Sequence, residues 1–223
     1  MNAASRPNRV DDAYEQLKRE ILENRMSPGN QATELELAAR LGMSRTPVHE
    51  ALIRLEGEGL LELIPRHGAR VLPVSPDDMR EIYQLLTVLE PEAAADIARQ
   101  QPGHDQLAGL EAATAEMERS IAAGDLDAWA KADDRFHREL LDLSSNRRLC
   151  AFVNTLFDQA HRARMMTLRL RQPPIRSTRE HRAILRAIAK GDAEQTRQQF
   201  RAHRERAGQE LLDILDRLRL SLL

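Results

Sequence analysis

The chain has 223 residues, enough for one large domain or two small ones, and 42% hydrophobic with 30% charged residues describes a soluble globular protein. The single cysteine, Cys150, excludes an internal disulfide and fits a reducing cytoplasm, while 3% aromatics and an abundance of Ala, Leu, Arg and Glu favour an all-helical fold. With a formal net charge of −2 the chain is not broadly basic, and the polar start MNAASRPNRVDD and the lack of a long apolar run exclude a secretory signal and a membrane span.

In chain order, residues 1–9 read as a disordered arm. Asp11 or Asp12 then caps a first helix with Ala13, Leu17, Ile21 and Leu22 facing inward, and Ser27-Pro28-Gly29-Asn30 ends it in a turn. From Thr33 to Leu72 two short helices and a hairpin are expected. Thr33 with Glu36 forms a capping box, Leu35, Leu37, Ala38 and Leu41 supply an apolar face, and Gly42 sits just past the helix end. Ser44 can cap a second helix with Pro47 in its first turn, where the missing N–H costs little. Its buried stripe is Val48, Ala51, Leu52 and Leu55, and Gly57 and Gly59 break it. Leu61–Ile64 and Ala69–Leu72 then pair around Arg66-His67-Gly68.

Helix, glycine-containing turn and helix is the arrangement that reads DNA. Arg45, Thr46 and His49 lie at the N-terminal end of the second helix, the end that enters a major groove. There Arg45 can reach a guanine edge, and Ser44, Thr46 and the free N–H groups of the first turn suit phosphate oxygens. The hairpin resembles a wing whose tip, Arg66, His67 and Gly68, touches the DNA backbone or minor groove. Arg40 adds to a stretch in which, up to His49, every ionisable side chain is basic. The bland alternative is a helical hairpin with ordinary solvated arginines. Residues 1–76 carry 10 Lys/Arg against 11 Asp/Glu, so the footprint is local. A homodimer on a near-palindromic operator in double-stranded DNA would be needed to add enough phosphate contacts.

Pro73–Asp78 is a linker that leads into a helix start, which divides the chain into domains 1–74 and 75–223. Six helices follow, at about 76–100, 104–122, 125–144, 147–171, 175–190 and 192–219, separated by Pro, Gly, Asn and Ser clusters. The expected fold is mainly α, a winged helix-turn-helix followed by an all-α antiparallel bundle. Within the bundle, Asp133 and His137 share one helix face, and His181 and His203 stand beside inward-looking aliphatics on two later helices. Converging in the core, these four would suit a divalent transition metal such as zinc, nickel or manganese. Hydrogen-bonded core histidines are the competing reading.

The run LAARLGMSRTPVHEALIRLEGEGLLELIPRHGARV resembles the winged helix-turn-helix of GntR-type bacterial transcription regulators. Family members usually have Arg where this chain has His49, and some have it at Leu35; both positions commonly contact DNA. DDRFHRELLDLSSNRRL and EHRAILRAIAKGDAEQTRQQFRAHRERA resemble the FCD ligand-binding domain of the FadR branch, in its shorter, VanR-like form with six helices. That resemblance implies a metal on Asp133, His137, His181 and His203. It also implies a small-molecule effector, a carboxylic acid held by the metal and by an arginine of the first bundle helix. Leu86 occupies that arginine's place, so either Arg162, Arg164 or Arg169 substitutes or the effector is less acidic, and Asn146 matches a further family position or simply ends a helix. Met165-Met166 reads as core filler, Cys150 as a buried small residue, and the Arg-rich last helix as a solvated face. The resulting expectation is a cytoplasmic, ligand-responsive regulator that acts by repression. The alternative is a metal-dependent hydrolase or other metalloenzyme, for which Glu139 and Glu180 are near the ligands in sequence only.

Overall fold

The computed structural model describes residues 9–220 and divides the chain into two compact units, Met1–Ser75 and Pro76–Leu223. The arm expected over residues 1–9 lies outside the described residues except for Arg9, which opens helix α1 (Arg9–Leu22). Asp11 and Asp12 therefore lie in the first turn rather than before it, where they still complement the positive end of the helix dipole.

The first unit continues with β1 (Gln31–Ala32), α2 (Glu34–Leu41), α3 (Arg45–Gly57), β2 (Leu61–Ile64) and β3 (Gly68–Val71). The capping box forms as its sequence requires: Glu36 N donates to Thr33 Oγ1 at 3.2 Å and Thr33 N donates to Glu36 Oε2 at 2.8 Å. Gly42 ends α2 in the left-handed conformation, φ 63°. Ser44 takes the extended backbone of a cap, but its side chain makes no capping bond. Leu17, Ile21, Leu37, Val48, Leu52 and Leu55 fill the core between α1, α2 and α3. Leu35 does not join them: it is 66% exposed, because position 35 turns away from α1 and α3 while Leu37 and Ala38 turn toward them.

The wing is the antiparallel pair β2–β3, registered Leu61↔Val71 to Ile64↔Gly68. A third strand, β1, pairs with β3 and gives the order β1-β3-β2. Two residues are too few to display alternation, so the sequence does not announce it. Gly68 is what allows the pairing. Its φ is 85°, and a Cβ there would lie 2.1 Å from the Ala32 carbonyl oxygen.

The second unit is six helices: α4 (Pro76–Arg99), α5 (His104–Ala123), α6 (Leu126–Asp142), α7 (Arg147–Thr167), α8 (Ile175–Ala189) and α9 (Ala193–Leu220). The helix expected to run to residue 171 ends at Thr167 and tightens into a 3-10 turn, Leu168–Leu170, ahead of Pro173-Pro174, which cannot donate backbone hydrogen bonds. Asp125 caps α6 by accepting from Ala128 N at 2.9 Å, and Asn146 caps α7 by accepting from Leu149 N at 3.1 Å. The core is built on Trp129, Phe136, Leu140, Ile184, Ile188 and Phe200.

Helix α9 lies along α4 in the opposite direction, with Arg80 against Asp216 near one end and Arg204 against Glu90 further in. Three details depart from the expected burial. Met166 is 44% exposed, Cys150 is half-buried with Sγ 3.2 Å from the Leu141 carbonyl oxygen, and Arg204 on the supposedly solvated helix is only 2% exposed. Among the described residues no helix is long and apolar enough to cross a membrane.

Candidate functional site

In the first unit the N-termini of α2 and α3 and the wing enclose a groove of about 470 Å³, bordered by Glu34, Leu35, Arg45, His49, Arg66 and Gly68 among others. Glu34 organises it. Its Oε1 lies 2.8 Å from His49 Nδ1 and its Oε2 accepts from Arg45 Nη2 at 3.2 Å. The His49 hydrogen bond, aided by Arg45 and opposed by burial, holds the Glu34 carboxyl below its usual range. Arg45 remains 67% exposed, available to a partner in the groove. Ser44, Thr46 and His67 are exposed but lie off the groove walls. Arg40, at the far end of α2, is drawn to Glu20 of α1 at 2.8 Å.

In the second unit α6, α8 and α9 bring His137, His181 and His203 together, all three buried, with one ring nitrogen from each within 4.8 Å of the others. His137 Nε2 and His181 Nε2 are 3.1 Å apart, and Asp133 Oδ1 stands 3.4 Å from His181 Nε2 and 4.0 Å from His137 Nε2. Tetrahedral ligands at zinc-like bond lengths of about 2.0–2.1 Å are roughly 3.3 Å apart, so the spacing fits a single small cation.

The outer nitrogens decide which way the rings present themselves. His181 Nδ1 is 2.8 Å from the Ser177 carbonyl oxygen, which can only accept, and His203 Nδ1 is 2.8 Å from Glu180 Oε2. Both rings therefore carry the proton on Nδ1 and turn an Nε2 lone pair inward. His137 Nδ1 sits between Glu90 Oε1 at 3.0 Å and Arg204 Nη2 at 2.9 Å. With its proton on Nδ1, toward Glu90, a third lone pair faces the same point. With the proton on Nε2 instead, Arg204 donates to Nδ1 and one N–H···N bond to His181 fills that point. The first arrangement is a donor set for a divalent cation.

Burial is the main cause that pushes all three imidazoles below their ordinary pKa, His203 to about 4, so each is a neutral ligand at neutral pH. Burial acts to raise the Asp133 pKa, but His137, His181, Arg164 and Arg204 together outweigh it and keep the carboxyl below its usual range.

A cavity of about 40 Å³ lies beside this cluster, bordered by Tyr83, Asp133, Arg164, Arg171, His203 and Arg204 among others. Arg164 is held against Asp134 at 3.1 Å and Asp133 at 3.7 Å. Arg162 is buried on α7 but does not border the cavity, Arg169 pairs with Asp127 at 2.7 Å, and Asn146 is occupied as a helix cap.

Residues 9–71 match the bacterial regulatory proteins of the gntR family, and residues 81–206 match the FCD domain. The chain belongs to the GntR family. Two similar relatives are regulators of the helix-turn-helix type. One, from the TAR-I ttuE-ttuC' intergenic region of Agrobacterium vitis, is 40% identical over 63% of this chain and 83% of its own length. The other, YdhC of Bacillus subtilis, is 31% identical over 85% of each. The fold matches that of E. coli McbR/YncC with a TM-score of 0.81, 22% identity and coverage of 94% of this chain and 100% of that one.

This GntR-family chain is accordingly a DNA-binding transcriptional regulator and not an enzyme. Glu139 borders neither the cavity nor the cluster, and Glu180, the other acid considered as a catalytic base, is bound to His203 and Arg206. Its carboxyl is held down at about 2; burial opposes this, and the bonds to His203 and Arg206 outweigh it. Two site residues escaped the sequence reading, Glu90 and Arg204, and Glu180 entered it only as a candidate base. Glu180 directly precedes His181 and Arg204 directly follows His203, yet adjacency in sequence says nothing of where a side chain on a different helix face ends up.

Proposed function

We propose that this chain is a dimeric, effector-responsive regulator of the cytoplasm that represses transcription from a near-palindromic operator until a small organic acid binds the bundle. Asp133, His137, His181 and His203 hold a divalent transition metal, and the acid's carboxylate completes its coordination. The observation that carries this reading is the set of outer acceptors: the Ser177 carbonyl and Glu180 accept from Nδ1 of His181 and His203, and Glu90 is placed to accept from His137 Nδ1, which leaves the Nε2 lone pairs to meet at one buried point beside a cavity. When bound, the metal supplies a Lewis-acidic position for an oxygen ligand. Arg204 and Arg164 bring positive charge to the same cavity, and Arg204 fills the role that Leu86 on α4 leaves open.

The test compares DNA binding by chelator-stripped and zinc- or nickel-reloaded protein, titrated with short carboxylic acids, on duplexes selected from a random library. The expected result is that an acid weakens DNA binding of the reloaded protein alone. Identical responses of the two preparations sink the metal-anchored effector. By linkage, bound DNA lowers the acid's affinity by the same factor.

At the other end of the chain, Arg45→Ala is expected to lose about 1–3 kcal/mol of specific DNA binding, as for an arginine that reads a base bidentately. Glu34 presents that guanidinium to the groove. Fluorescence anisotropy across a salt series checks this, and equal affinities of wild type and variant at every salt concentration overturn the assignment.

A further inference from the structure

The cavity beside the histidines shares Trp129, Leu168, Arg171, Ser177 and Ala207 with a wider cleft of about 290 Å³. The shared walls set the cleft next to the cavity at the histidines, so a ligand that spans both has its head at the histidines and its tail in the cleft. Five arginines border the two spaces. Arg164 is paired with Asp133 and Asp134, Arg204 with Glu90, Arg176 with Glu180, and Arg206 with Glu180 and Glu210. Arg171 is the fifth, and it borders both spaces. Its Nε donates to Thr167 Oγ1 at 3.0 Å and its Nη2 to the same hydroxyl and to the Arg164 carbonyl oxygen, while no carboxylate among the described residues forms an ion pair with it. Burial pushes its pKa down, the mark of a guanidinium that has given up water without gaining a full counter-charge. A partly buried cation in that state gains most from an anion brought by a ligand, and the guanidinium's unused N–H groups suit a planar acid group.

We infer that Arg171 takes a second acidic group, so that the effector is a compact diacid with one acid group at the histidine cluster and the other at the junction of the two cavities. This rests on the effector reading above and narrows it from acids in general to molecules with two of them. It also gives the 3-10 turn after α7 a role, since Arg171 directly follows that turn and is held by Thr167 at the turn's start. The remaining cleft, with Gln172, Trp129 and Pro173 in its walls, receives the linker between the two acid groups.

The test is thermal unfolding of the metal-reloaded full chain at fixed ionic strength, with propionate, butyrate and valerate set against malonate, succinate and glutarate, and with metal content measured after each run. At least one diacid is expected to bind about tenfold more tightly than the monoacid of equal carbon number, the contribution of one charge-assisted pair. Arg171→Gln should remove that preference while monoacid binding and metal content stay unchanged. Arg171→Lys, which keeps the charge, should retain part of it and serves if the glutamine variant fails to fold. A monoacid response with no diacid preference in wild type, or a preference that survives in Arg171→Gln, overturns this inference alone. No response to any acid overturns the effector reading and this inference with it.

Discussion

Glu90→Ala is expected to destabilise the C-terminal unit by about 3–5 kcal/mol, as for removal of one partner from a buried ion pair. Glu90 and Arg204 are 0% and 2% exposed, and Nη2 donates to Oε1 at 2.8 Å while Nε lies against Oε2. Without the carboxylate, the guanidinium stays in the core with the neutral His137 as its nearest polar neighbour. The destabilisation measures that stranded charge and not the net worth of the pair. Glu90→Leu with Arg204→Leu should therefore recover most of the loss, since well-packed apolar residues often replace a buried pair without penalty. Urea unfolding of metal-free protein, as a double-mutant cycle, reads both quantities. A Glu90→Ala variant within about 1 kcal/mol of wild type would show that water reaches Arg204 freely and would refute its assignment as a buried cation. The exposed pair of Arg80 with Asp216 on the same two helices is the control, and its removal should leave stability nearly unchanged.

The contrast between those two pairs shows where the sequence speaks and where it is silent. Local chemistry is legible: Thr33 with Glu36, Gly42 after α2 and the breaks between bundle helices all act over a few residues, and those elements form as read except α7, which ends at Thr167. Helical spacing extends that legibility to Asp133 and His137, which share a helix face whatever the tertiary structure, and the family resemblance extends it to His181 and His203. What surrounds these four side chains is set by α4, α6, α8 and α9 meeting. Arg204 reads as one more arginine in a charged helix, and nothing local distinguishes it from the exposed Arg201. Only the packing of α9 on α4 sets it against Glu90, and only then does the apolar Leu86 one turn before Glu90 make sense. One guanidinium already fills this part of the core from the opposite helix. Leu35 fails in the other direction. Its spacing fits an apolar stripe, but α2 has only eight residues and buries just Leu37 and Ala38, which leaves Leu35 in the groove beside Arg45 and His49.

His203→Ala and His137→Ala are each expected to abolish metal retention and the effector response while leaving DNA binding without effector unchanged. Each removes one of three inward nitrogens, and neither ring forms part of the first unit, where DNA is read. A metal that binds the folded chain and has no equivalent site in the unfolded one stabilises wild type by mass action. The difference in unfolding midpoint between stripped and reloaded protein should therefore vanish in both variants. Loss of a buried ring also opens a cavity, so the stripped variants will themselves be less stable than stripped wild type; the midpoint shift on reloading, not the midpoint, is the relevant quantity. Glu180→Gln separates coordination from packing more finely. It keeps the shape at His203 Nδ1 and weakens the bond that fixes its tautomer, and should reduce metal affinity about 10–100-fold without abolishing it. If His137→Ala and His203→Ala hold as much metal as wild type after dialysis, the three imidazoles are a hydrogen-bonded core cluster and the metal lies elsewhere. If both lose it and Glu180→Gln falls between, the outer hydrogen bonds tune the centre as their geometry requires.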